Sequence, residues 1–413
     1  MDATRKNTSV FLDGALPYVG DLSHAETRRG GEFFSRKERK DHKAGGPTSV
    51  SATIDRSGWK RVRLGEVLTY EQPYPYIVHK AEYVSNGTPV LTPGKTFILG
   101  YTTETDGICR ASSDAPCILF DDFLTISRLV QFDFKVKSSA VKILLPASTS
   151  HNLRFIFYAM SRLQFEITDH QRHWINQFSK LEIQVPTRQE QDRIADAIDS
   201  IDTHISALQS LIAKYEAIKK ATVNLLLKPK AGWRQISLGD IGDVLMCKRI
   251  LKNQTTETGD VPFYKIGTFG RTPDSFISRA LFKDFKARFS YPQKGDVLLS
   301  AAGTIGRTVV FNGEDAYFQD SNIVWIDNDE RIVTNRFLHV LYDQLDWQTE
   351  NGGTVSRLYN ANIRNTKIVI PTLTEQRRIV TILDSIDSTI KGFKSQISKA
   401  QGIKQGMMTY FFG

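Results

Sequence analysis

The sequence predicts an α/β fold with two globular α/β domains linked by two long antiparallel coiled-coil helices in a pseudo-two-fold arrangement. One observation is a helix written twice: PTRQEQDRIADAIDSIDTHI (Pro186–Ile205) returns as PTLTEQRRIVTILDSIDSTI (Pro371–Ile390). A second is the opening of each globular stretch, GWKRVRLGEVL (Gly58–Leu68) and GWRQISLGDIGDVL (Gly232–Leu245), where Trp59, Leu64 and Gly65 match Trp233, Leu238 and Gly239. A third is a run of apolar pieces parted by a glycine-rich turn, DVLLS–AAGTIG–RTVVF, which reads as strand, turn, strand. An internal repeat this long sets the architecture before any local reading. The segments are then residues 1–57, 58–185, 186–230, 231–370 and 371–413: leader, first domain, central helix, second domain and C-terminal helix.

In order, the leader is polar, glycine-rich and mixed in charge, as in RRGGEFFSRKERKDHKAGG. It reads as disordered, or as an over-extended start of the reading frame. The first domain carries a helical stretch, RFIFYAMSRLQF (Arg154–Phe165), and closes with the strand KLEIQVP. The second has the counterparts RFLHVLYDQLDW (Arg336–Trp347) and KIVIP, with AYFQDSNIVWID (Ala316–Asp327) as a strand pair or a strand with a turn.

Each repeated helix starts at a proline followed by a T-x-x-E cap, Thr187 with Glu190 and Thr372 with Glu375; Thr-x-x-Glu is the capping-box spacing. Apolar residues then step by four and three: Ile194, Ile198, Ile201, Ile205, Leu208 and Ile212, and in the second copy Ile379, Leu383, Ile386, Ile390, Phe393 and Ile397. That is a heptad seam, which slips at Lys219 and at Lys404. Each helix has room for about 40 residues, about 60 Å. The seams can pair within the chain or between two chains; pairing within the chain is preferred, because both copies lie on it. The carboxylates Asp199, Asp202, Asp384 and Asp387 read as solvated faces or partner contacts.

The 413 residues carry a formal net charge of +9, a modest bias toward a polyanionic partner. Cys109, Cys117 and Cys247 form no CxxC pair, so neither a disulfide framework nor a zinc knuckle is expected. No apolar run is long enough for a membrane span and no signal-peptide core is present, so a cytoplasmic protein is expected. No P-loop, dinucleotide fingerprint, HExxH pair or GxSxG elbow occurs. GTIGRT (Gly303–Thr308) lacks the lysine and the following helix of a phosphate loop, and Asp121–Asp122 has no metal-binding set around it. No catalytic residue and no metal site is expected.

Reading duplex DNA needs cations for phosphates and amide, hydroxyl or arginine groups for base edges. The second domain offers Lys248, Arg249, Lys265, Arg271, Arg307, Gln319 and Asn322, with the polar loop NGGTVSRLYNANIRN. The first offers Lys80, Lys95, Arg110, Lys135, Lys137 and the cluster HQRHW. A lone lysine or arginine is more often a solvated charge; here they fall on turns of both domains.

These features together resemble the specificity subunit of type I restriction–modification enzymes. KGDVLLSAAGTIGRTVV with QDSNIVWI resembles that family's target-recognition domains, and the doubled PTxxEQxRI with DSID resembles its conserved spacer helices. PVLTPGKTFILGYTTETDGI, ILFDDF and FDFKVKSSAVKIL resemble a different recognition-domain subtype. The likeness covers residues 58–413. It implies a non-catalytic chain that binds a bipartite, asymmetric double-stranded DNA target, one half-site per domain, with the paired helices as a ruler. It implies as partners two methyltransferase (modification) subunits and restriction subunits. S-adenosylmethionine, ATP and Mg would belong to those partners, with no cofactor bound by this chain. By position in turn segments, Arg307, Gln319, Asn322, Arg357 and Asn360 are candidates for the second half-site, and Tyr101, Thr102, Glu104, Asp121, Asp122 and His173 for the first. Outer helix positions such as Gln191, Arg193, Asp202 and Lys214, with their repeats, are candidates for modification-subunit contacts. The rival readings are a two-headed adaptor for proteins and a homodimeric DNA-binding regulator.

Overall fold

A computed structural model describes residues 56–79, 82–94, 96–165, 167, 172–347 and 357–413. The expected leader, save its last two residues, lies outside the described residues, as do Lys80, Lys95 and part of the 351–365 loop. The chain divides into two compact units, Met1–Leu211 with Phe393–Gly413, and Ile212–Gly392.

The first unit holds nine strands: β1 (Lys60–Arg63), β2 (Leu68–Glu71), β3 (Thr88–Leu91), β4 (Ile98–Thr102), β5 (Cys117–Asp121), β6 (Ser127–Val130), β7 (Lys135–Val136), β8 (Val141–Pro146) and β9 (Glu182–Val185). They form a four-stranded sheet in the order β2-β8-β5-β6, a three-stranded sheet β4-β3-β7 and the pair β1-β9. Three short helices accompany them, α1 (Leu64–Val67), α2 (Leu153–Met160) and α3 (His173–Asn176). The second unit has β10 (Arg234–Ser237), β11 (Val244–Met246), β12 (Val261–Tyr264), β13 (Phe276–Ile277), β14 (Val297–Ser300), β15 (Thr308–Val310), β16 (Tyr317–Phe318), β17 (Ile323–Ile326) and β18 (Lys367–Ile370). Its sheets are β11-β17-β14-β15, β13-β12-β16 and β10-β18. Strand for strand this is the same topology, down to the single parallel pairing in each three-stranded sheet, β3 with β7 and β12 with β16. The two heads, read as different subtypes, therefore share one scaffold.

The central strands explain why these runs are apolar throughout. Alternate side chains of a strand point to opposite faces, and here both faces are covered. In β14, Val297 and Leu299 enter one core while Leu298 enters another. In β5, Ile118 and Phe120 face the core shared with α2, and Cys117 and Leu119 face the core shared with Leu91 and Val136 of the smaller sheet. AYFQDSNIVWID resolves into β16 and β17, strands of two different sheets joined by a turn.

The long helices are α4 (Arg188–Leu226), 39 residues, and α8 (Leu373–Phe412), 40 residues. The intervening helices are α5 (Arg279–Arg288), α6 (Asn335–Tyr342) and α7 (Asn360–Asn365). Thr187 and Thr372 each accept the amide of the glutamate three residues on at 3.4 Å. α4 stops short of Pro229, which cannot continue a helix. Ile194, Ile198, Ile205, Leu208, Ile379, Leu383 and Ile390 are buried, and Ile201, Ile212, Ile386, Phe393 and Ile397 are half-buried, as a seam requires.

Each unit pairs the beginning of one long helix with the end of the other. In the first, Ile194 and Ile198 of α4 share a core with Met408, Phe411 and Phe412 of α8. In the second, Ile379 and Leu383 of α8 share a core with Val223 and Leu226 of α4. The antiparallel intrachain pairing thus occurs within each unit. The two slips in the heptad mark ion pairs: Lys404 Nζ lies 2.7 Å from Asp202 Oδ2, and Lys219 Nζ lies 2.6 Å from its repeat partner Asp387 Oδ1.

Of the carboxylates expected on solvated or partner-facing surfaces, Asp202 is buried, whereas Asp199, Asp384 and Asp387 stay partly exposed while pairing within the chain. Asp199 accepts from Arg154 and from the Tyr158 hydroxyl, and Asp384 pairs with Arg336, so each holds the short helix of its own head. Gln191 is buried as well. Its carbonyl accepts the Asn152 amide at 2.8 Å and its Nε2 donates to the Pro186 carbonyl at 3.0 Å. Gln376 does the same with the Thr334 amide, at 2.9 Å, and the Pro371 carbonyl, at 3.0 Å. Gln191 and Asp202 are therefore removed from the outer face, whereas Arg193 and Lys214 are exposed.

Because each glutamine joins a long helix to its head, Gln376→Ala strands a buried amide and should cost about 1–3 kcal/mol. Thermal unfolding should show a lower midpoint. Equal stability of the variant and the parent would mean that water takes over the side chain's bonds.

Candidate nucleic-acid interface

The second head opens a polar cleft of about 1220 Å³ beside the three-stranded sheet. Arg249 and Lys252, which follow β11, Lys265 at the end of β12, Gln319 and Asn322 between β16 and β17, and Arg357 line it. Five of the expected residues, Arg249, Lys265, Gln319, Asn322 and Arg357, are thus brought together. The connections that follow β11, β12 and β16 carry most of them.

Hydrogen bonds fix the directions of these groups. Arg249 Nε donates to Asp320 Oδ2 at 2.8 Å. Gln319 Oε1 accepts the Ile266 amide at 2.9 Å, which turns its NH2 away from that amide. Arg357 Nη2 donates to the Ser321 carbonyl at 2.8 Å, where Ser321 holds φ +55°. Lys265 Nζ is 2.8 Å from Asp274 Oδ1.

Other candidates stand apart from the cleft lining. Arg307 donates to the Phe269 carbonyl at 3.0 Å. It follows Gly306, whose φ of +83° suits glycine and where a Cβ would come within 2.7 Å of the Trp347 ring. Lys248 is exposed over the Phe289 ring at 5.3 Å, and Asn360 is exposed at the start of α7.

In the first head, several candidates turn out to belong to strands or to the interior rather than to open turns. Lys135, in β7, is 0% exposed; its Nζ sits 2.8 Å from Glu104 Oε2 and donates to the Asp106 carbonyl at 2.9 Å. Gly107 (φ +54°) lets that loop close, since a Cβ there would fall 2.3 Å from the Pro75 carbonyl oxygen. Asp122 is buried: its Oδ1 accepts the Trp174 amide at 2.9 Å and its Oδ2 lies 3.4 Å from Lys142 Nζ. His173 is buried in α3, where its amide donates to the Asp122 carbonyl at 2.8 Å and its ring meets Phe165 edge-on. Thr102 is buried at the end of β4 and its hydroxyl accepts the Glu104 amide at 3.2 Å. Asp121 accepts the Phe123 and Leu124 amides, both at 2.9 Å, which shapes the β5–β6 turn. Tyr101 is half-buried in β4. Arg110, paired with Asp133, and Lys137, 5.6 Å from the Tyr83 ring, are exposed.

The scaffold places Lys137 and Gln319 at the same station. Each follows the strand paired in parallel, and each amide extends that ladder, Lys137 to the Leu91 carbonyl at 3.0 Å and Gln319 to the Tyr264 carbonyl at 2.9 Å. One backbone position thus carries a cation in one head and an amide in the other.

The three cysteines are buried. Burial pushes Cys247 up to about 12, and a hydrogen bond with Cys109 together with burial raises Cys117. Among the described residues no group of acidic, histidine or cysteine side chains is placed to hold a metal, and no helix is long and apolar enough to cross a membrane.

Two heads with one topology and different side chains at matching stations define a tandem recognition protein. The chain belongs to the family of type I restriction–modification DNA specificity domains, whose family model matches residues 56–217 and again 230–400. It is 30% identical over 375 residues to the EcoR124I/EcoR124II type I restriction enzyme specificity subunit of Escherichia coli, a match spanning 84% of this chain and 91% of that one. It is 61% identical over 153 residues to a type I restriction enzyme specificity subunit of Haemophilus influenzae, a match confined to 37% of this chain and 40% of that relative. In fold it is similar to the crystal structure of a type I restriction–modification S subunit from M. genitalium, with TM-score 0.60 and 16% identity over 88% of this chain and 98% of that one. Membership favours the specificity-subunit reading over the adaptor and the homodimeric regulator.

Proposed function

We propose that this chain reads a bipartite, asymmetric duplex DNA target, one half-site per head, and brings methyltransferase and restriction subunits to it. The observation that carries this reading is the shared scaffold with Lys137 and Gln319 at one station: two readers of the same build with different contact groups suit two different half-sites. Cations and amides around the second cleft are the groups that engage phosphates and base edges. In this reading S-adenosylmethionine, ATP and Mg belong to the partner subunits, and this chain contributes specificity alone.

The experiment is methylome sequencing of cells carrying this chain with a type I modification subunit, beside cells with the modification subunit alone. A new N6-methyladenine motif of two unlike half-sites around a fixed spacing is expected, and exchanging one head should change one half only. An assembled complex that adds no motif would overturn the reading.

The exposed Arg193 and Lys399 of the first unit, and separately their repeats Arg378 and Lys214 in the second, are positions we assign to modification-subunit contacts. Charge reversal at all four should weaken co-purification with the modification subunit while the melting temperature stays within the small range of surface substitutions, about 0.5 kcal/mol each. Unimpaired assembly would place the docking surface elsewhere.

A further inference from the structure

Arg249 is set apart from the other cations of the cleft by how it is held. Its side chain is 66% exposed, while that of its partner Asp320 is only 17% exposed. The carboxylate takes the Nε of the guanidinium at 2.8 Å. Among the described residues nothing hydrogen-bonds Nη1 or Nη2. Asp320 is itself fixed by its place in the β16–β17 turn, where its carbonyl accepts the Asn322 amide at 2.6 Å. The result is an arginine with one edge tied down and a two-pronged edge left over, in a cleft also lined by the Gln319 amide.

A phosphate contact has no need of this arrangement. A flexible lysine serves it, and a carboxylate beside the cation works against a polyanion, which is attracted by net positive charge. A base contact is different. Guanine presents O6 and N7 side by side in the major groove, and a guanidinium fork matches both at once. Tying Nε restrains the side chain and lowers the entropy lost on forming two bonds. The acidic partner also weakens non-specific attraction, so that the bidentate match matters more.

On the reading that this head recognises half of a DNA target, we propose that Arg249 is a specificity-determining residue that reads one guanine of the second half-site from the major groove, with Asp320 as its positioning residue. Gln319 is a neighbouring donor: its Oε1 is engaged by the Ile266 amide, so its NH2 is the group offered to an acceptor on an adjacent base.

The test uses the complex of this chain with its modification subunit and duplexes carrying the methylome motif. In separate duplexes each second-half guanine is replaced by 7-deazaguanine, which keeps Watson–Crick pairing but lacks the N7 acceptor. One such replacement should weaken binding by the parent complex about fivefold or more, and have no effect on the Arg249→Ala complex. Arg249→Lys keeps the charge. It should relax that one base pair in the methylome, with discrimination falling by about 5- to 150-fold, while the first half-site stays intact. Asp320→Asn should relax the same base pair to a smaller degree.

Several results overturn the proposal. They are indifference of the parent to every 7-deaza duplex, equal sensitivity of parent and Arg249→Ala complexes, and an unchanged motif for Arg249→Lys, which would make Arg249 a phosphate contact. A second half-site without guanine on either strand has the same consequence. Failure of the underlying reading looks different: the parent complex itself then yields no bipartite motif.

Discussion

Lys135→Met should destabilise the first head by about 3–5 kcal/mol, the usual cost of breaking a buried ion pair by removing one partner. Lys135 is fully buried and the Glu104 side chain is 6% exposed. Without the ammonium, the Glu104 carboxylate keeps the His79 amide, 2.9 Å away, but loses its counter-charge in a place water does not reach. The 104–107 loop that closes over Lys135 should loosen with it. For a unit of this size the melting temperature should fall by roughly 10 °C.

Adding Glu104→Gln to Lys135→Met should recover part of the loss, because a neutral carboxamide still accepts the His79 amide. The salt dependence of DNA binding separates this role from a phosphate contact. A phosphate contact would lower the log–log salt slope by about 0.9 when removed, whereas a core role leaves the slope unchanged. An unchanged melting temperature with a reduced slope would return Lys135 to the surface.

Asp202→Lys should be more damaging than the same change at its repeat partner, Asp387→Lys. The two aspartates occupy the same place in the repeat and each faces a lysine at a heptad slip. Their surroundings differ. The side chains of Asp202 and Lys404 are 5% and 16% exposed, whereas those of Asp387 and Lys219 are 46% and 38% exposed. A half-exposed pair contributes about 0–1 kcal/mol, so its reversal is a small event. Reversing the buried one places two cations together where water screens little, with a cost of about 3–5 kcal/mol or more.

The exchange Asp202→Lys with Lys404→Asp should restore most of the stability. Loss of methylation after Asp202→Lys alone should track the fall in melting temperature. Equal effects at Asp202 and Asp387 would mean that burial is not what distinguishes the pairs.

The repeat, the two long helices and the helical stretch in each head were legible because heptad and helical periods are long-range patterns that loops do not imitate. The ion pairs made at the two slips were not. A heptad reading assigns charges to the outside, and only the antiparallel register reveals that Asp202 meets Lys404. Lys135 misled for a similar reason. In FDFKVK the alternation puts Asp133, Lys135 and Lys137 on the face opposite Phe132, Phe134 and Val136, and a strand alone does not tell that a loop from Glu104 to Gly107 covers only the middle one. Buried Lys142 was missed because its partners, Asp122 and Gln72, are remote in sequence. The second cleft was more accessible to sequence reasoning, since its residues lie at the ends of strands whose order the repeat implies. Asp320 was overlooked there because an acid looks out of place in a site for a polyanion; its position between Gln319 and Asn322 in QDSN was the available signal.

The first compact unit is discontinuous in sequence, needing Phe393–Gly413 as well as the residues up to Leu211, whereas the second is the single stretch Ile212–Gly392. The core of the head encoded first therefore closes with residues that are synthesised after the whole of the second head: Ile194 and Ile198 meet Met408, Phe411 and Phe412. Folding strictly by order of synthesis, usually from the N-terminus onward, is not open to this head.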